Sequence, residues 1–123
     1  MDTETRQLIC RLVAGIVIAD DILDEHEEKF LDRLLESFGM DSGRDAVFPL
    51  VDRDEAATQM KALPKDAQDE AMRLLIEAAC IDGQIAPEER DYLRAVAAAV
   101  GIPLDALARR VAQQLGKSTY TLD

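Results

Sequence analysis

The chain is expected to fold as one all-α, single-domain bundle of about six to seven helices with an internal duplication of a helix-loop-helix unit. Three observations point there. Apolar residues recur at the 3.6-residue helical period through most of the sequence. Ala, Leu, Glu and Arg are plentiful while aromatic residues make up only 4% and Trp is absent, a composition that favours helix over strand. Residues 8–40 also lie on residues 70–102 at an offset of 62 with no gap. With 123 residues and 48% apolar content there is material for one continuous core. The domain is placed at 1–116 and a flexible tail at 117–123.

The first helix is expected from Thr3 to Ala19, with Ile9, Leu12, Val13, Ile16 and Val17 on its stripe. Cys10, Ala14 and Ile18 widen that stripe nearly all round, which makes this helix central. After the loop 20–23, Asp24 caps a second helix and Glu27 completes a capping box. Phe30, Leu31, Leu34, Leu35 and Phe38 form its apolar face, and Gly39 stops it. Residues 41–63 read as two short helices that bridge the copies, one around Val47 to Val51 and one around Ala56, Met60 and Leu63.

A long helix opens at Pro64 and ends at Asp82-Gly83. Pro87 then takes the first position of the next, where Glu88 and Glu89 favour the positive end of the macrodipole, and Gly101 closes it. A last helix runs from near Pro103 to Gly116. The repeat aligns Arg11 with Arg73, Leu12 with Leu74, Asp20 with Asp82, Glu27 with Glu89, Leu31 with Leu93 and Gly39 with Gly101. These matches fall at a helix end, a loop start, a cap and a stop. Two such hairpins can each cover the other's apolar face.

The formal net charge is −11, which repels phosphate backbones and anionic headgroups and leaves cations and basic protein surfaces as the attractive partners. Nucleic acid is therefore excluded as a partner. Cys10 and Cys80 sit among apolar residues and read as buried thiols of a reducing compartment. Asp2 and Glu4 argue against a signal peptide, and the apolar run from Leu12 to Ile18 is too short to span a bilayer, so a cytoplasmic protein without direct membrane insertion is expected. One His, two buried thiols and no Gly-rich phosphate loop make a thin catalytic inventory, and the chain reads as a non-enzyme.

Asp20 and Asp82 stand at helix carboxyl ends, where the macrodipole opposes a negative charge. Two readings account for the repeated placement. Each Asp can accept hydrogen bonds from loop N–H groups and fix the turn. Alternatively, a cation can be held by Asp20, Asp24 and Glu27 in one loop, or by Asp82 and Glu89 in the other. Carboxylate oxygens suit a hard divalent ion, Ca²⁺ or Mg²⁺. The ladder of an EF-hand is missing, because the twelfth positions are Leu31 and Leu93. His26, inside the densest carboxylate run, reads as a surface residue.

The segment Ala78-Ala79-Cys80-Ile81-Asp82-Gly83-Gln84-Ile85-Ala86-Pro87-Glu88-Glu89, followed by Leu93 and Gly101, resembles the signature of the TerB-like (tellurite-resistance) domains. Residues 18–27 match it more loosely, with Asp21 where Gly is usual, and Ala86 removes a side-chain cap from the second copy. The likeness runs from about Leu8 to Leu115. It implies a helical domain of about seven helices and an acidic, metal-binding patch to which Asp20, Glu27, Asp82 and Glu89 correspond. It also implies a part in tellurite and other chemical stress, within larger assemblies at the membrane. The expected function is a stress-response scaffold or sensor that takes a divalent cation and docks on other proteins. The alternative is a metal-free structural adaptor for a basic protein partner.

Overall fold

The computed structural model describes residues 2–19, 24–40 and 50–122. Among them are six helices and no strand: α1 (Thr3–Val17), α2 (Glu25–Ser37), α3 (Arg53–Ala62), α4 (Lys65–Ala79), α5 (Pro87–Ala99) and α6 (Leu104–Leu115). The all-α bundle is thus as the composition and periodicity predict. No described helix is long and apolar enough to cross a membrane. Of the two short helices expected in the bridge, the second is α3, while the first falls on 41–49, outside the described residues.

Helix α1 begins where Asp2 Oδ1 accepts from the Thr5 backbone N–H at 2.8 Å. Its apolar residues Ile9, Leu12, Val13, Ile16 and Val17 are all fully buried, with Cys10 and Ala14 beside them. Helices α2, α3, α4 and α5 all pack on it. It stops two residues before the expected Ala19, because the Ala19 N–H turns back to the Ile16 carbonyl in a tighter three-residue bond.

The duplication is visible in the bounds themselves. Thr3–Val17 recurs as Lys65–Ala79 and Glu25–Ser37 as Pro87–Ala99, each at the offset of 62 residues read from the sequence. The stops repeat too: Gly39 and Gly101 take φ of 72° and 81°, and Met40 and Ile102 each donate back to the carbonyl five residues earlier at 2.9 Å. A left-handed residue at this position satisfies carbonyls that the helix end would otherwise orphan, and glycine adopts it without a Cβ penalty.

The bridge joins the copies through side-chain chemistry. Pro64 has no N–H, so it ends α3 and opens α4. Gln68 Nε2, one turn into α4, donates to the carbonyls of Leu63 at 3.0 Å and Met60 at 3.3 Å, which caps α3 from outside. Helix α3 then lies chiefly against α5, burying Ala56 and Met60. The segment after Gly116, expected as a flexible tail, places Leu122 in the core at 3% exposure with Tyr120 packed beside it, and Arg94 Nη1 donates to the Leu122 carbonyl at 3.3 Å.

One contact pins the second copy to the first. Tyr92 of α5 is buried, and its hydroxyl donates to the Leu12 carbonyl of α1 at 2.7 Å. Gly15 makes room for it, since a Cβ there would lie 2.5 Å from the tyrosine oxygen and 2.9 Å from the Val51 carbonyl oxygen. Tyr92→Phe should cost about 1 kcal/mol for the lost hydrogen bond, and Gly15→Ala about 1–3 kcal/mol for the overpacking. Because removing the hydroxyl also removes the nearest clash, urea unfolding of the double variant should show a loss about 1 kcal/mol smaller than the sum. Strict additivity would mean that the two residues do not share this contact.

Candidate metal centre

The site is assembled from two helix boundaries. At the first, Asp24 is the N-cap of α2, with extended backbone at φ −80° and ψ 171°. Its Oδ1 accepts from the Glu27 N–H at 2.8 Å, and Glu27 Oε1 accepts from the Asp24 N–H at 3.4 Å, forming the capping box that the spacing predicts. The box draws Glu27 down against the bundle until it is only 4% exposed. At the second boundary the chain leaves α4 through Cys80 and turns at Gly83, whose φ is 84°. Asp82 Oδ1 there accepts from the Gln84 N–H at 3.2 Å, an Asx turn that holds the carboxylate in place.

Folding brings these boundaries together. One carboxylate oxygen from each of Asp24, Glu27 and Asp82 lies within 4.8 Å of the other two. Asp24 is half-buried, Glu27 buried and Asp82 exposed. The cluster therefore straddles the two copies, whereas the sequence groups its candidates loop by loop. Asp20 lies outside the described residues. Glu89, the repeat of Glu27, is buried at 3% exposure and accepts from the Ala86 N–H through Oε1 at 3.0 Å, but it does not belong to the three-carboxylate group. His26 is exposed and also stands apart from it.

Three like charges this close repel one another by roughly 1 kcal/mol per pair in water, and more where protein displaces the water. The N-terminus of α2 offsets part of that for Asp24 and Glu27. Asp82 has no such help, because it follows a helix carboxyl end. A carboxylate has about four lone-pair sites, so the capping and turn bonds leave the group able to accept more. The donor set is all oxygen, the chemistry of a hard cation. Three carboxylates from two helix boundaries offer donors that such an ion could use, without the regular spacing of an EF-hand.

The acidic field reaches the core. Cys80 is buried beneath this corner, and its thiol is pushed up to about 11, first by burial and then by the negative charges of Glu89 and Asp82. Burial alone pushes Cys10 up to about 11. Tyr120 is also raised, first by burial and then by the neighbouring Cys80. Both shifts disfavour the thiolate at neutral pH.

A linked prediction follows from the thiols. In the unfolded chain they ionise near 9, in the folded chain near 11, so between those values the folded state holds protons that the unfolded state has released. The stability they contribute is therefore complete below about pH 9 and lost as pH rises toward 11. Urea midpoints measured from pH 7 to 10.5 should fall over that window, and the fall should be shallower in Cys10→Ala and in Cys80→Ala. An unchanged slope in both variants would contradict the assignment.

Comparison of the chain with family models, with curated proteins and with solved structures gives no match.

Proposed function

We propose that this chain is a TerB-like stress-response module, a scaffold or sensor that holds a divalent cation between its two copies and docks onto other proteins, including membrane-associated stress assemblies. The observation that carries this reading is the convergence of Asp24, Glu27 and Asp82 from opposite copies to within 4.8 Å. An ion bound there would neutralise the repulsion and tie the start of α2 to the end of α4, so that occupancy and the packing of the two copies would be linked.

The all-oxygen donor set suits a hard divalent ion, Ca²⁺ or Mg²⁺.

Thermal melts test the proposal. A cation at a hundred times its dissociation constant stabilises the folded state by about 2.7 kcal/mol, a shift on the order of 10 °C for a chain of this size. Asp24→Asn separates chelation from capping, because asparagine caps as well as aspartate but carries no charge. Asp24→Asn and Asp82→Asn should both keep the metal-free melting temperature within a few degrees and lose most of the cation-induced shift. No shift with millimolar Ca²⁺, Mg²⁺, Mn²⁺ or Zn²⁺ against a chelator would overturn the metal reading. The metal-free adaptor, favoured by the net charge of −11, would then stand, and its complex with a basic partner should weaken steeply with salt.

A further inference from the structure

A cavity of about 440 Å³ opens where the end of α1, the lead-in to α3 and the first turns of α5 meet. Its size is that of a small-molecule site. The apolar part of the wall comes from Ile18 and Ala19, which follow α1, and from Leu50 and Val51, with Leu50 exposed at 36%. Gly15, which has no side chain, and the buried Tyr92 also line it.

The polar part of the lining is mostly acidic. Asp52, Glu88 and Asp91 contribute three carboxylates, and Arg53 is the one basic residue among the lining residues described. Arg53 reaches Asp54 and Asp91 at 3.9 Å, and Asp91 also pairs with Arg90 at 3.6 Å, so the negative charge left over in the lining is chiefly that of Asp52 and Glu88. Asp52 spends Oδ1 on the Glu55 N–H at 2.9 Å to cap α3. Glu88 is exposed in the first turn of α5 and makes no hydrogen bond or ion pair among the described residues.

These carboxylates are too widely spaced to gather on one metal ion. The three that do approach within 4.8 Å among the described residues are Asp24, Glu27 and Asp82, on other elements. Scattered negative charge around an apolar pocket suits a different ligand, one whose positive charge is carried on an apolar body. A bare inorganic cation would leave the apolar wall in water, and a neutral hydrocarbon would leave the carboxylates unused.

We propose that this cavity binds a small organic ammonium, with its hydrocarbon part on Ile18, Ala19, Leu50 and Val51 and its ammonium toward Glu88 and its acidic neighbours. The site is independent of the divalent-cation reading, because it shares no residue with the Asp24, Glu27 and Asp82 cluster.

The test is a titration of the whole chain with 4-phenylbutylammonium, followed by amide NMR shifts, with 4-phenylbutanol and 4-phenylbutanoate as matched neutral and anionic probes. The ammonium should bind at millimolar concentration or tighter, shift the amides of Ile18, Val51 and Tyr92, and bind at least tenfold more tightly than the alcohol. Glu88→Gln should weaken it about three- to fivefold, the range of an exposed ion pair, and leave alcohol binding unchanged. Ala19→Leu, which narrows the cavity at its apolar wall, should weaken binding of both. Both variants should retain the divalent-cation shift, so failure of one reading is distinguishable from failure of the other. Equal binding of ammonium and alcohol would overturn the proposal, as would wild-type affinity in both variants. A capped lysine-bearing tripeptide that binds more than tenfold tighter than the amine would assign the cavity to a basic protein segment and overturn the small-cation reading.

Discussion

A helix that is apolar nearly all round must be covered on every side, and the rest of this fold depends on covering α1. From Ile9 to Val17 every residue except Arg11 is buried. Full burial of a Leu, Ile or Val side chain contributes about 1.5–3 kcal/mol, so a run of this length dominates the choice of neighbours. One hairpin supplies only α2 against α1. The second copy supplies α4 and α5, and the bridge supplies α3, which together close the remaining sides. The hydrogen bond from Tyr92 to the Leu12 carbonyl fixes the rotation of α5 on that surface, and Gly15 is the dent that admits it.

The two copies share their boundaries and diverge where they meet. Both keep a buried Glu at the third position of the second helix, where it accepts from the backbone N–H of the cap residue and sits at the positive end of the macrodipole. The cap residue differs: Asp24 in one copy, Ala86 in the other. Arg73 is held by Glu70 and Glu77 on its own helix, but the matching positions around Arg11 are Leu8 and Gly15. Leu8 packs against the core and Gly15 receives Tyr92, so the first copy has interior contacts where the second has a surface ion-pair cluster.

Carboxylates gather at the starts of α2, α3 and α5 for a local reason first. Helices α2, α3 and α5 all begin with carboxylates in the first turn, the favourable placement for each helix taken singly. Packing then decides which of them become neighbours. It sets Asp82, a turn residue with a local task of its own, against the cap of α2, and it leaves Glu88 and Asp91 around an apolar cavity. The same charge chemistry thus yields a tight cluster in one place and a diffuse ring in another.

Much of the architecture was legible in the sequence because it is local. Helical periodicity, the capping box at Asp24, the proline starts and the glycine stops act over a few residues, and the offset of 62 predicted the repeated bounds of four helices. The candidate site was legible only as a set of residue types. Asp24, Glu27 and Asp82 were all singled out, but the sequence grouped them by loop, since nothing in the spacing says that the turn after α4 meets the start of α2. The pairing of Tyr92 with Gly15, the return of Leu122 to the core and the carboxylate-rimmed cavity had no local signal either. Each joins elements far apart in the chain, and such contacts are decided by how the apolar faces close around α1. Sequence by itself determined what each segment is; tertiary structure decided which charges face one another, because burial of the core contributes far more than surface charge pairs and so fixes their positions.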